Sequence, residues 1–145
     1  MKKILLSASV LTLLLSSCKK DNAQNDSKAV TKENIIGDYK LTGLTTETSG
    51  FKMDVLAQME PCQRDDEYHF KAGDVYDYVD AGTQCDVNGD GTGSWTLSGD
   101  VMTLDGMDAK VTKLTATILE ATITMTETVN NQQVTSSIHY SFARK

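Results

Sequence analysis

The chain is short of cations, histidine, cysteine and aromatic residues, and each shortage narrows what it can do. Lys and Arg number 14 against 20 Asp and Glu, a net charge of −6. So acidic a surface lacks the basic face that neutralises phosphates, which argues against nucleic acid as a partner. Histidine occurs twice, at His69 and His139, and strand alternation puts both opposite the apolar residues of their strands. No nucleophile elbow is present, and a pairing of His69 with Asp65 reads as solvated surface, so the chain is expected not to be an enzyme. After residue 17 no apolar run approaches the roughly 20 residues of a spanning helix. No internal repeat or low-complexity tract is present, and the length fits one domain.

Apolar character is concentrated instead at the beginning, MKKILLSASVLTLLLSSC. Lys2 and Lys3 precede an apolar core, Ile4 to Leu15, which is the order of a secretory signal. Leu15-Ser16-Ser17-Cys18 resembles the lipobox of bacterial lipoproteins. That resemblance implies cleavage after residue 17 and acylation of Cys18. Ordinary signal cleavage beside a chance cysteine is the alternative. Lipid chains contribute about 0.8 kcal/mol per buried methylene, so several of them anchor a protein stably. Without the leader's two lysines, 12 basic residues face 20 acidic ones. Residues 18–33 are polar and charged and read as a flexible tether, with the domain at 34–145. Cys18-Lys19-Lys20-Asp21 has no Asp directly after the cysteine, which favours the outer membrane, facing either the periplasm or the exterior.

Of three cysteines, lipidation of Cys18 leaves Cys62 and Cys85 as an even pair. Export puts them in an oxidising space, where a disulfide is the expectation and free thiols the alternative. Two cysteines with no neighbouring His or Cys do not make a zinc site.

From Ile35 onward Thr, Val, Ile and Tyr alternate with polar residues, and Gly, Asp and Asn punctuate at short intervals. Eight strands are expected: 35–47, 67–70, 75–80, 93–97, 101–105, 109–114, 117–128 and 134–143. Leu119, Ala121, Ile123 and Met125 share one face of the seventh, and Ile138, Tyr140 and Phe142 one face of the last. Met53 to Met59 has helical spacing and is expected to form one short helix covering a mouth of the sheet. Hairpin-length connections point to an all-β, eight-stranded, antiparallel up-and-down barrel, with a sandwich as the alternative.

Several short motifs recur in a known order: Gly37-Asp38-Tyr39, Cys62 followed by Asp65 and Asp66, Phe70, Gly73, Cys85, and Gly93-Ser94-Trp95-Thr96-Leu97. Gly99, Leu104 and Leu114-Thr115 continue it. This order resembles the lipocalin-like domain of many Bacteroidetes lipoproteins, across residues 34–143. The resemblance implies a barrel with a small-molecule cup and includes the cysteine pair. Tyr39 stands where lipocalins proper usually have Trp, and the domain is shorter than theirs, which implies a narrower barrel.

Two constellations are candidate sites. Tyr39, Leu41, Phe70, Trp95, Leu97, Ile123, Tyr140 and Phe142 are placed by alternation to point inward. They would line a site for a small apolar or amphipathic molecule, though ordinary core packing is the simpler account of each. Asp86, Asn88 and Asp90 match the first half of a calcium loop, with Ser94 at its ninth position. Leu97 holds the twelfth place where a bidentate Glu belongs, and a plain acidic turn explains the same residues. Asp65-Asp66-Glu67 is a short acidic run that a solvated face or general attraction of cations explains without a site. Calcium is thus the one cofactor considered. Partners are a membrane through the lipid, a small ligand, or another protein that a filled barrel would engage as an interaction module.

Overall fold

The computed structural model describes residues 26–87 and 89–145. The leader, Cys18 and the first part of the expected tether lie outside them. Backbone pairing begins early: the Lys28 N–H donates to the Leu114 carbonyl at 2.8 Å. The Thr31 hydroxyl then caps α1 (Lys32–Ile35) by accepting the Asn34 N–H at 3.3 Å. The chain is therefore tied to the domain from Lys28, ahead of the boundary expected at residue 33. Ile35, expected in the first strand, is instead the buried end of this helical turn.

Nine strands follow: β1 (Gly37–Thr48), β2 (Phe51–Asp54), β3 (Glu67–Phe70), β4 (Val75–Val79), β5 (Gly91–Ser98), β6 (Val101–Leu104), β7 (Met107–Leu114), β8 (Ile118–Val129) and β9 (Gln132–Arg144). Every pairing is antiparallel, and β3 to β9 pair in sequence order. β1 pairs with β9 from Tyr39↔Arg144 to Thr48↔Ser136, and its first residues pair with β3 from Gly37↔Phe70 to Lys40↔Glu67. That double pairing closes eight strands into a barrel and removes the sandwich alternative.

The ninth strand corrects the expected helix. Ser49 and Gly50 both have positive φ, 52° and 81°, and turn the chain straight back. Phe51–Asp54 then pairs with Thr45–Thr48, the stretch of β1 that β3 leaves free. Only Leu56–Gln58 forms a helical turn, of the 3-10 type, with the Asp54 carboxylate accepting the Ala57 N–H at 3.0 Å. A second 3-10 turn covers Pro61–Gln63.

The two ends of the barrel differ. At the end where β1 begins, α1 acts as a plug. Ile35, Tyr39, Phe70, Trp95 and Phe142 pack there with exposures of 0–2 %. The Trp95 indole N–H reaches the Lys71 carbonyl at 3.1 Å. A register shift between Leu41 and Gly43 brings Leu44 onto the inner face opposite Tyr140. Ala109, Ala121 and Ile123 form a second, smaller cluster further along, packed against Ile138 and Tyr140. Beyond it the same face of the sheet continues past the barrel and exposes Phe51, Met53, Met107 and Met125. Among the described residues no helix is long and apolar enough to cross a membrane.

Candidate functional site

The end opposite the plug is framed by the β2–β3 connection and the β4–β5 loop. Cys62 and Cys85 join the two as a disulfide, with Cα atoms 5.3 Å apart, so the expected pairing is formed. Beside it, the Asp65 carboxylate accepts the Thr83 N–H at 2.9 Å. Gly82 (φ +68°) passes so close that a Cβ there would sit 2.3 Å from the Asp65 Oδ2 atom.

Between these loops and the inner face of β3 and β4 lies a cavity of about 480 Å³, open to solvent on one side. Glu60, Asp66, Tyr78, Asp80 and Asp86 line it, together with both cysteines. Alternation explains how they meet. Asp66, Tyr68 and Phe70 share one face of the chain through β3. Tyr76, Tyr78 and Asp80 share one face through β4, and the pairs Tyr68↔Tyr78 and Phe70↔Tyr76 set them side by side.

An aromatic wall joins this cavity to the core. The Tyr68 ring meets Tyr78 edge-on at 5.1 Å and Phe142 at 5.3 Å, and stacks on Tyr76 at 6.0 Å. Tyr76 leans across Gly93 and donates its hydroxyl proton to Asp105 at 2.6 Å. That hydrogen bond comes first among the causes holding the Asp105 carboxyl below its usual range. Burial pushes the Tyr68 phenol up to about 12, helped by Tyr140 and by the Asp66 charge. Burial, then the hydrogen bond to Asp66, raises Tyr78 further.

The acids are the unusual part. Asp66 is 4 % and Asp80 8 % exposed. Asp66 Oδ2 accepts the Tyr78 hydroxyl, and Asp80 Oδ2 accepts the Gly89 N–H at 3.3 Å. The second oxygen of each, Oδ1, is buried and has no hydrogen-bond partner. Leaving such an atom unmet costs about 1–3 kcal/mol, and more when the group is charged. The acidic run is therefore not a solvated face: Asp66 turns inward, and Asp65 accepts the Thr83 N–H through Oδ2 while its Oδ1 is likewise buried without a partner.

The eight residues expected to line the interior all lie on the inner face. Tyr39, Leu41, Phe70, Trp95 and Phe142 are buried against one another; Ile123 joins the second cluster, while Leu97 and Tyr140 are half-buried. None of the eight lines the cavity at the mouth. In the expected calcium loop, Asp86 lines that cavity and Asp90 accepts the Asp80 N–H at 2.8 Å, whereas Asn88 lies outside the described residues. Among the described residues no group of three or more His, Cys, Asp or Glu is gathered to hold a metal ion. His69 sits outside the barrel between Glu67 (3.0 Å) and Asp38 (3.8 Å), and His139 meets the Thr122 hydroxyl at 3.0 Å.

Sequence reasoning missed Asp66, Tyr68, Tyr78 and Asp80. A signal was present: D-x-Y-x-F over 66–70 and Y-x-Y-x-D over 76–80 run acid, tyrosine, aromatic in opposite directions on either side of the hairpin.

Neither the curated proteins nor the solved structures contain a match to this chain. A family model does match, over residues 35–125, which runs from the plug through most of β8. With the closed antiparallel barrel, this places the chain in the family of lipocalin-like domains.

Proposed function

We propose that this is a lipid-anchored, extracytoplasmic lipocalin-like protein of the Bacteroidetes lipoprotein type. In this reading it binds a small apolar or amphipathic molecule at the open mouth of its barrel. The observation that carries the binding reading is the asymmetry of the barrel. One end is plugged by α1, while the other holds a cavity of about 480 Å³ lined by the Tyr78 ring, the disulfide and several polar and acidic side chains. A concave site of that volume with a few convergent polar groups suits a small molecule. The anchor rests on the leader, the lipobox-like Leu15-Ser16-Ser17-Cys18 and the polar residues after it. The disulfide accords with export.

Native mass spectrometry of the protein purified from its own cells tests the binding. A co-purifying small mass supports the carrier, and its absence at every ionisation energy counts against it. Labelling with an alkyne fatty acid tests the anchor: incorporation should vanish in Cys18→Ala. Protease treatment of intact cells then reports which side of the outer membrane the domain faces.

A second reading, a non-catalytic interaction module, draws on a different observation. Phe51, Met53, Met107 and Met125 are 40–74 % exposed on the sheet face that continues the barrel interior.

A further inference from the structure

We propose that the sheet face extending past the barrel mouth seats a basic amphipathic helix of a partner protein, held between Phe51 and Met53 on one side and Met125 and Val129 on the other. The inference rests on the interaction-module reading above and names that partner's chemistry.

The face is a product of unequal strand lengths. β3 pairs with β1 only as far as Lys40, and β7 with β8 only as far as Thr122. Past those points β2, β1, β9 and β8 continue as a four-stranded antiparallel sheet. The pairs Met53↔Thr46, Thr46↔Ile138 and Ile138↔Ile123 carry the inner face of the barrel out across all four strands. By alternation, Phe51 and Met53 stand on that face of β2, and Met125 and Val129 on that face of β8. All four are exposed. Between them β1 and β9 present the short side chains of Thr48 and Ser136, which pair with each other. Three strand spacings separate β2 from β8, about 14 Å. The result is a trough with large apolar walls and a floor of small polar groups. Its width suits a helix, whose diameter with side chains is roughly 10–12 Å. A helix with one apolar stripe is a regular cover for a sheet face, and methionine walls adapt to its shape.

Charge decides what the rest of that helix carries. Glu127 stands on the trough face between Met125 and Val129, and Glu47 and Asp54 lie on the neighbouring strands. None of the three is in an ion pair, and Lys52 is the only cation on these strand segments. The five lysine–carboxylate pairs among the described residues all lie outside the extension. A second copy of the chain would bring like charges together here, Glu127 among them. A lipid surface is flat or anionic and fits neither the concave trough nor its charge. A basic amphipathic helix gains twice, its apolar stripe in the trough and its Lys or Arg flanks beside the free carboxylates.

The test uses the mature protein from its own cells, carried in phosphatidylcholine nanodiscs so that no detergent coats the face. The probes are three fluorescent peptides of about 18 residues, five turns of helix. One is an amphipathic Leu/Lys sequence, one has Glu in place of every Lys, and one scrambles the Leu/Lys order. With binding to empty discs subtracted, anisotropy should show the ordered Leu/Lys peptide binding at least tenfold more tightly than either of the others. Raising the salt should weaken it severalfold. Phe51→Ser combined with Met125→Ser should cost at least tenfold, and Glu127→Gln about two- to fivefold. Should a variant fail to fold, the comparison of peptides on the unaltered protein decides alone. Equal binding of the Lys and Glu peptides overturns the basic partner but leaves a docking face. Tight binding that the double variant leaves unchanged overturns the assignment to this face. A dimer in sedimentation, or capture on anionic vesicles, that the double variant abolishes gives the face to a second copy or to lipid and also overturns it. If no peptide binds, the proposal falls. A photo-reactive phenylalanine analogue at position 51 in living cells then decides the module reading separately: a protein adduct keeps it, and none sinks it.

Discussion

Arg144, one residue from the end of the chain, lays its guanidinium over the Tyr39 ring at 4.9 Å and donates to the Tyr39 hydroxyl oxygen at 2.5 Å. The Tyr39 hydroxyl in turn donates to the Ile35 carbonyl at 2.8 Å. Arg144 also donates to the carbonyls of Ile36, at 3.1 Å, and Asn34. The last strand thus holds the carbonyls at the end of α1, which its few residues cannot satisfy themselves.

Arg144→Ala should accordingly destabilise the domain by about 2–4 kcal/mol, since it removes charged hydrogen bonds and a cation–π contact together. A fall in melting temperature on the order of 10 °C is expected. Arg144→Lys should recover only part of it, because an ammonium cannot span three acceptors in a plane. Tyr39→Phe should cost about 1 kcal/mol. A melting curve of Arg144→Ala that overlays the parent would refute this role.

Reducing the disulfide, or replacing Cys62 and Cys85 by Ser, frees two loops that enclose β3 and β4. With the cysteines 23 positions apart, the chain-entropy model gives a loss of about 3 kcal/mol. Thermal melts with and without reductant check it. The change should also raise hydrogen exchange in residues 55–66 and 80–90 while sparing α1 and Tyr39.

All five tyrosines are held above the ordinary phenol value, chiefly by burial. A raised folded-state value means stability fully present below about pH 10 and lost as pH climbs through the folded values, about 12 for Tyr68. Absorbance at 295 nm should therefore stay flat through pH 10. Tyrosinate should then appear in one step, together with loss of the β-sheet circular dichroism. A gradual titration centred at pH 10 in folded protein would contradict this.

Gly93 has no room for a side chain, for a Cβ there would lie 2.3 Å from the Tyr76 ring. Gly93→Ala should displace Tyr76 from Asp105 at a cost of about 1–3 kcal/mol. In a Tyr76→Ser background the same substitution should be nearly silent, and the double-mutant cycle measures the coupling.

Much of the barrel could be read from period-two alternation, because a face that is buried must repeat every second residue. Leu119, Ala121 and Ile123 are buried as that rule requires. It failed where local chemistry competed. Thr31 recruits Ile35 into a capped helical turn, and the Ser49-Gly50 turn folds Phe51–Asp54 onto β1 although Met53–Met59 has helical spacing. The mouth was hidden for a different reason. Asp66 and Asp80 stand at strand ends, where an acid ordinarily meets water, and only the pairing of β3 with β4 turns them inward.

The plug has a mechanical consequence. The chain enters the barrel beside α1, at the floor, and Arg144 ties the other terminus to the same place. With attachment at Cys18, as proposed, the ten residues to Lys28 give a leash of roughly 35 Å at full extension. Any pull from the membrane would then fall on the plugged end rather than on the loops that frame the cavity.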